Sequence, residues 1–472
     1  MKRYDQFYAA GRWHDSRSEE FTTVVDPATD TPIAQVRLCD VDDVDVAVRA
    51  ARNGLEAWSD SSLDARRQVL TRLLGALESR EAAFVDSFAR ETGCPVSTGR
   101  FLQGLMARNG LQAVIDGIAD VQWEETVRHS LVVRTPVGVI AGITAWNAPV
   151  VQMMVKASAA IAAGCAIVLK PSEAAPESAR LFCDAIDECG LPPGVVNLVW
   201  GGPAVGAALV THPGVAQISF TGSPQVGRRI MASAAEGLKR VVLELGGKSA
   251  AVLLDDADFE QAVPAALRSC LAHSGQICAA QSRLLVPRKR LDDVASLLNE
   301  QLASWTVGDP LQDGTRMGPL ASAAQFARVD GAIRQAVNDG ARLLAGGPGR
   351  MAAFTRGQFV APTVLQATPD LHVAREEVFG PVLCLIAHDG DDDAVAIAND
   401  TPYGLSGALW SRDAERACRA ARRMHTGQVV LNGAAQNLAA PFGGVGASGF
   451  GRENGRFGIE AFLDHRNLQG VA

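Results

Sequence analysis

The 472-residue chain lacks any apolar run long enough, about 18 residues, to cross a bilayer as a helix. The opening stretch "MKRYDQFYAAGRW" has a charged start but no apolar core of a secretory signal, so a cytoplasmic protein is expected. There is no excess of positive charge. Lys and Arg number 44 against 52 Asp and Glu, and the net charge of −8 argues against a grip on nucleic acid or an anionic membrane. No CxxC occurs, no cysteine pair has metal-ligand spacing, and the cysteine count of nine is odd, which fits a reduced compartment. The eight histidines form no HExxH or similar cluster, so no metal site is expected. Internal repeats and low-complexity linkers are absent as well.

What is present is a 47% hydrophobic chain with 46 glycines, too long for one simple core, so two or three domains are expected. Residues 42–58 carry Val44, Val48, Ala51 and Leu55 at helical spacing, and 64–91 predict one long amphipathic helix or two, ending at Gly93. Residues 129–144 turn β-rich. From there strands ("AIVLK", "VVNLVW", "VAQISF", "RVVLEL") alternate with helices, one over about 150–163 and others starting near Pro176, Pro203 and Pro224. The rhythm restarts near residue 250 with "SAAVLL", "SRLLVPR", "ARLLAGG", "PTVLQ", "VLCLIAH" and "GQVVLN". Both halves predict an α/β fold built on parallel sheets.

Ligands of such sheets bind at the carboxyl ends of the strands, and four segments fall there. In "FTGSPQVG", Gly222 and Ser223 open a helix whose N–H groups can hold a pyrophosphate, or they make an ordinary strand-to-helix corner. In "LKPSE", Lys170 and Glu173 can bond a ribose, or Ser172 and Glu173 can form a helix cap. In "LELGGKSA", Glu244 ends an apolar strand. It is either a general base or half of a buried salt bridge to Lys248. In "ITAWNAP", Asn147 is either an oxyanion donor or a turn residue. Cys278, in "HSGQICAAQSRLLV", is a packed thiol or a nucleophile depending on whether those segments surround it.

Together these segments, with "REEVFGPV" and "PFGGVGASGFGREN", resemble the NAD(P)-dependent aldehyde dehydrogenase superfamily from about residue 5 to 468. One departure is Ala145, which stands where the family pattern usually has proline before "WNxP". The resemblance implies a Rossmann-like parallel-sheet cofactor domain (1–118 and 136–246), a second α/β catalytic domain (247–447) and a small β-ribbon oligomerisation element (119–135 and 448–472). It implies a homodimer or homotetramer. It makes Cys278 the nucleophile, Glu244 the base that activates water, Asn147 and the Cys278 N–H the oxyanion donors, and Lys156 a proton relay or a structural ion pair. NAD, with NADP as the other option, would be held by Trp146, Lys170, Ser172, Glu173, Gly222, Ser223, Val226, Leu245, Glu377 and Phe379. Glu173 facing the ribose 2′ position favours NAD.

The aldehyde channel would be lined by Ala148, Gln152, Val155, Ala272, His273, Ile277, Gln436 and Phe442. Most are small or polar, which implies a roomy channel for a bulky or extended aldehyde. Gln152, His273 and Gln436 would meet a distal polar group, unless loops or a neighbouring subunit refill the space. A CoA-acylating relative and a non-catalytic binding protein on the same fold are the alternatives, and the intact Glu244, Cys278 and Asn147 argue against both.

Overall fold

The computed structural model describes residues 1–471. Two large sheets organise it. The first has eight strands in the order 449–450, 240–244, 217–221, 139–143, 166–170, 196–198, 6–9 and 12–15. Its five central strands, from 240–244 to 196–198, run parallel, as the strand–helix alternation predicts. The second has seven strands in the order 342–345, 363–366, 382–388, 283–287, 250–253, 406–410 and 428–431, parallel except at the 342–345 edge.

Local chemistry explains the helices that flank the first sheet. Val41–Trp58 starts from a capping box in which Asp40 accepts from the Asp43 N–H and Asp43 accepts from the Asp40 N–H, and it buries Val44, Ala47, Val48 and Ala51. Pro149–Ala163 starts at a proline, needs no side-chain cap, and stops at the left-handed Gly164. Its Ala-rich sequence lets it lie buried between sheet and neighbouring helices. The segment expected as one helix or two is two, Leu63–Glu78 and Glu81–Thr92, followed by a π-helical stretch Arg100–Met106.

Two smaller sheets complete the chain. One joins Lys2–Tyr4, Thr31–Arg37 and Phe21–Asp26 near the N-terminus. The other is an antiparallel ribbon of Glu124–Val127, Ser130–Pro136 and Leu463–Gln469. The expectation that all of 448–472 belongs with this ribbon is corrected. Gly449–Phe450 pairs with Arg240–Glu244 in the first sheet, and Ile459 and Phe462 are buried in that sheet's core. Their apolar side chains go where burial is available, and only the polar strand Leu463–Gln469 extends outward. Among the described residues no helix is long and apolar enough to cross a membrane.

Candidate active site

Cys278 is delivered by a strained turn. The helix Phe259–Leu271 is followed by Ala272–Gly275, where His273, Ser274 and Gly275 have φ of 49°, 55° and 74°. A Cβ at residue 275 would lie 2.1 Å from the Gly380 carbonyl oxygen, so only glycine fits there. Gln276 locks the turn: its N–H and Nε2 donate to the His273 carbonyl (3.1 and 3.0 Å), and its Oε1 accepts from the Ala321 N–H (3.0 Å). Burial pushes the Cys278 thiol up to about 12, and the negative charges of Glu377 and Glu244 push the same way. The backbone N–H groups of Ala279 and Cys278 pull it down.

Asn147 sits opposite on the turn before the helix Pro149–Ala163. Its Nδ2 donates to the Gln276 carbonyl (2.9 Å), and its Oδ1 accepts from Gln152 Nε2 (2.9 Å). Gln152 Oε1 in turn accepts from the Ala145 N–H (2.7 Å).

Glu244 ends the strand Arg240–Glu244 and is 3% exposed, and neither carboxylate oxygen has a hydrogen-bond partner. Burial first, then the charge of Glu453, holds this carboxyl well above the usual carboxylate range, while Lys156 and Arg452 oppose the rise. The backbone around it is built to fit. Gly443 has φ 147°, and a Cβ there would lie 2.6 Å from Glu244 Oε1. The alternative salt bridge to Lys248 is not formed, since Lys248 Nζ is buried without a hydrogen-bond partner. Lys156, also buried, donates to Glu453 Oε1 (2.6 Å) and Ser219 Oγ (3.0 Å).

Two cavities meet at these residues. One of about 330 Å³ runs outward past Phe101, Leu102, Met106, Val151, Met154 and Leu438. The other, about 150 Å³, lies against Gly222, Ser223, Gly246 and Phe379. Asn147, Thr221, Glu244 and Cys278 line both, one group of residues facing two compartments.

The sequence-derived residues divide between the cavities. Ala148, Gln152, Val155, Ala272, Ile277, Gln436 and Phe442 line the larger one. His273 does not, which corrects its assignment. The ring is fully buried between Phe88 (centroids 4.9 Å apart) and Trp146 (6.1 Å), because the left-handed turn swings it behind the loop. Gln152 is on the wall, but both ends of its amide are bonded to protein, so its expected bond to substrate is corrected too.

Trp146, Gly222, Ser223, Leu245, Glu377 and Phe379 line the smaller cavity. Lys170, Ser172, Glu173 and Val226 lie outside its wall. Lys170 ends the parallel strand Ala166–Lys170. Its ammonium donates to the Gly201 carbonyl and to Pro171 (3.2 Å) and stands 3.6 Å from the Glu173 carboxylate. Ser223 caps the helix Pro224–Glu236, accepting from the Val226 N–H. The sequence reading missed Gln325 and Arg328, which share the smaller cavity's wall and bond the Phe379 and Glu377 carbonyls. No local motif marks them, since they come from the exposed face of an ordinary amphipathic helix, Ala323–Asn338.

The smaller cavity has groups that suit one part of a dinucleotide. A helix N-terminus is present at Ser223, and the Thr221 hydroxyl is buried without a partner. At Gly246 a Cβ would strike Glu377 Oε2 at 2.4 Å, so backbone and carboxylate form a close cradle. Glu377 is itself fixed by the Gly247 N–H (3.0 Å).

Comparison with known proteins agrees with this geometry. The model of the aldehyde dehydrogenase family matches residues 13–468. A 3-succinoylsemialdehyde-pyridine dehydrogenase from a Pseudomonas species is 43% identical, covering 100% of this chain and 99% of the relative. Aldehyde dehydrogenase C of Pseudomonas syringae, solved as a cysteine-to-alanine variant complexed with NAD+ and octanal, is 42% identical with a TM-score of 0.98, covering 99% and 97% of the two chains. A Mycobacterium tuberculosis aldehyde dehydrogenase complexed with NAD+ is 36% identical with a TM-score of 0.96, covering 99% and 98%. A cysteine, a partner-free carboxylate and an amide line the place where two cavities meet, and the family match over residues 13–468 shows that the chain belongs to the aldehyde dehydrogenase family, whose members oxidise aldehydes to carboxylic acids with reduction of NAD(P).

Proposed function

We propose that the chain oxidises extended, largely apolar aldehydes in the larger cavity, with NAD in the smaller one. The observation that carries this reading is the set of four residues, Asn147, Thr221, Glu244 and Cys278, lining both cavities. In the proposed reaction, Cys278 Sγ gives its proton to solvent water and the thiolate bonds to the carbonyl carbon. The oxygen becomes an oxyanion held by the Asn147 Nδ2–H and the Cys278 N–H. NAD, when bound, supplies the acceptor for the hydride that leaves this carbon. The acyl group then remains on Cys278 as a thioester. Glu244, a carboxylate with no hydrogen bond of its own, takes a proton from water, and the water oxygen displaces the thiolate to release the acid.

Glu173 would face the adenosine ribose and, with Lys170 occupied by carbonyls, would disfavour a 2′-phosphate. The ribbon ending in Leu463–Gln469 would carry the assembly of a homodimer or homotetramer. The domain limits 1–118 with 136–246 and 247–447 remain part of this reading, with 449–462 moved to the first unit.

The walls argue for the substrate class. Phe101, Leu102, Met106, Val151, Met154 and Leu438 offer apolar contact along the channel, and Gln436 is a polar group on the wall. The octanal bound in the Pseudomonas syringae complex is an extended apolar aldehyde of this kind. Each methylene buried is worth about 0.8 kcal/mol, or roughly fourfold in kcat/KM. Initial rates of NADH formation with a series from propanal to octanal test this. The expected result is a steep rise with chain length, and a flat or falling series contradicts it.

A further inference from the structure

We infer that Gln152 is a positioning residue that sets the orientation of the Asn147 carboxamide, and that the backbone N–H of Ala145 sets Gln152. The inference rests on the reading of Asn147 as oxyanion donor. A backbone N–H can only donate, so the Gln152 atom 2.7 Å from the Ala145 nitrogen is Oε1. The other end of that amide is then Nε2, which can only donate, so the Asn147 atom 2.9 Å away is Oδ1. Asn147 Nδ2 is thereby turned toward Gln276, whose carbonyl takes one of its protons at 2.9 Å. The second N–H of Nδ2 is left for the cavity that holds Cys278. With Asn147 flipped, Oδ1 would face the Gln276 carbonyl and two amino groups would face each other.

Each link is held in place. Gln152 lies in the first turn of the helix Pro149–Ala163, its own N–H bonded to the Ala148 carbonyl (3.0 Å). Gln276 is clamped by His273 and Ala321. The relay depends on the residue at 145. Proline at 145 would have no N–H and could not orient Gln152. Ala145 and Gln152 therefore form a matched pair, and Gln152 belongs to the catalytic architecture although its position on the channel wall suggests a contact with substrate.

The test is single-turnover NADH formation at saturating octanal and NAD, with melting temperatures in parallel. Asn147→Ala should slow hydride release by about a hundredfold or more, as loss of an oxyanion donor does. Gln152→Met, of similar volume but unable to orient an amide, and Ala145→Pro should each slow it about tenfold with the KM for NAD unchanged, because a misaligned donor keeps part of its effect. The double variant should be no slower than the slower single one, since both cut the same relay. Gln152→Glu gives a signature within one folded protein. Its carboxylate cannot donate to Asn147, so its rate relative to wild type should fall as pH rises through the new group's titration. Additive losses in the double variant, or Gln152 variants as fast as wild type beside a slow Asn147→Ala, overturn the relay and leave the oxyanion reading standing. A fast Asn147→Ala removes both.

Discussion

Lys156 Nζ lies 2.6 Å from Glu453 Oε1, and the two opposite charges act on Glu244 in opposite senses. Glu453 raises the proton affinity of Glu244 and Lys156 lowers it. Glu453→Gln removes the negative charge and leaves the ammonium, so Glu244 should ionise more readily. Deacylation needs the ionised form, so the acid limb of the kcat–pH profile should move to lower pH. A limb that stays in place or moves upward would mean that Glu453 does not act on the base.

Glu173 carries the expected cofactor preference. Its carboxylate is a third exposed and stands 3.6 Å from Lys170 Nζ. Wild type should favour NAD over NADP in kcat/KM, and Glu173→Gln should raise kcat/KM with NADP about tenfold, the effect of relieving roughly 1.4 kcal/mol of repulsion. Equal use of both cofactors by wild type contradicts this account.

His273 should make the fold acid-sensitive. Both ring nitrogens are buried without partners, and burial holds its pKa down to about 3, against an ordinary value near 6.5. The unfolded chain therefore binds a proton that the folded one refuses, and stability falls as pH drops from about 6.5 toward 3. At pH about 5 the loss is about 2 kcal/mol. His273→Asn keeps a residue that tolerates the left-handed turn and removes the titration. The drop in Tm between pH about 7 and 5 should be smaller in this variant. An unchanged drop would assign the acid sensitivity to other groups.

The parallel strands and their helices were legible in the sequence because each is marked locally, by β-branched runs, prolines at helix starts and glycines at helix ends. Strands such as Lys2–Tyr4 and Arg12–Asp15 were not, since both are short and polar; the first pairs with residues 34–36 and the second with the neighbouring Gln6–Ala9. Ser406–Trp410 was missed because its Gly and Ser weaken the pattern, although all five residues are buried. The motif residues Asn147, Glu244 and Cys278 were readable one by one, and the structure brings them to the same two cavities. Relations across the chain were not readable. The bond of Gln152 to Asn147, the retreat of His273 behind its loop, and the entry of Gln325 and Arg328 into the smaller cavity depend on where the backbone turns.

A thioester on Cys278, hydrolysed through Glu244, lies at the centre of the proposed chemistry. The direct measurement is intact-protein mass of Glu244→Gln after mixing with octanal and NAD, followed by peptide mapping. The amide cannot take the proton from water, so one NADH per site should appear in a burst, with later turnover about a hundredfold or more below wild type. The protein should gain the mass of one acyl group on the peptide bearing Cys278, and Cys278→Ala should show neither burst nor mass gain. Full steady-state turnover by Glu244→Gln, or an acyl group on a cysteine other than Cys278, would contradict it.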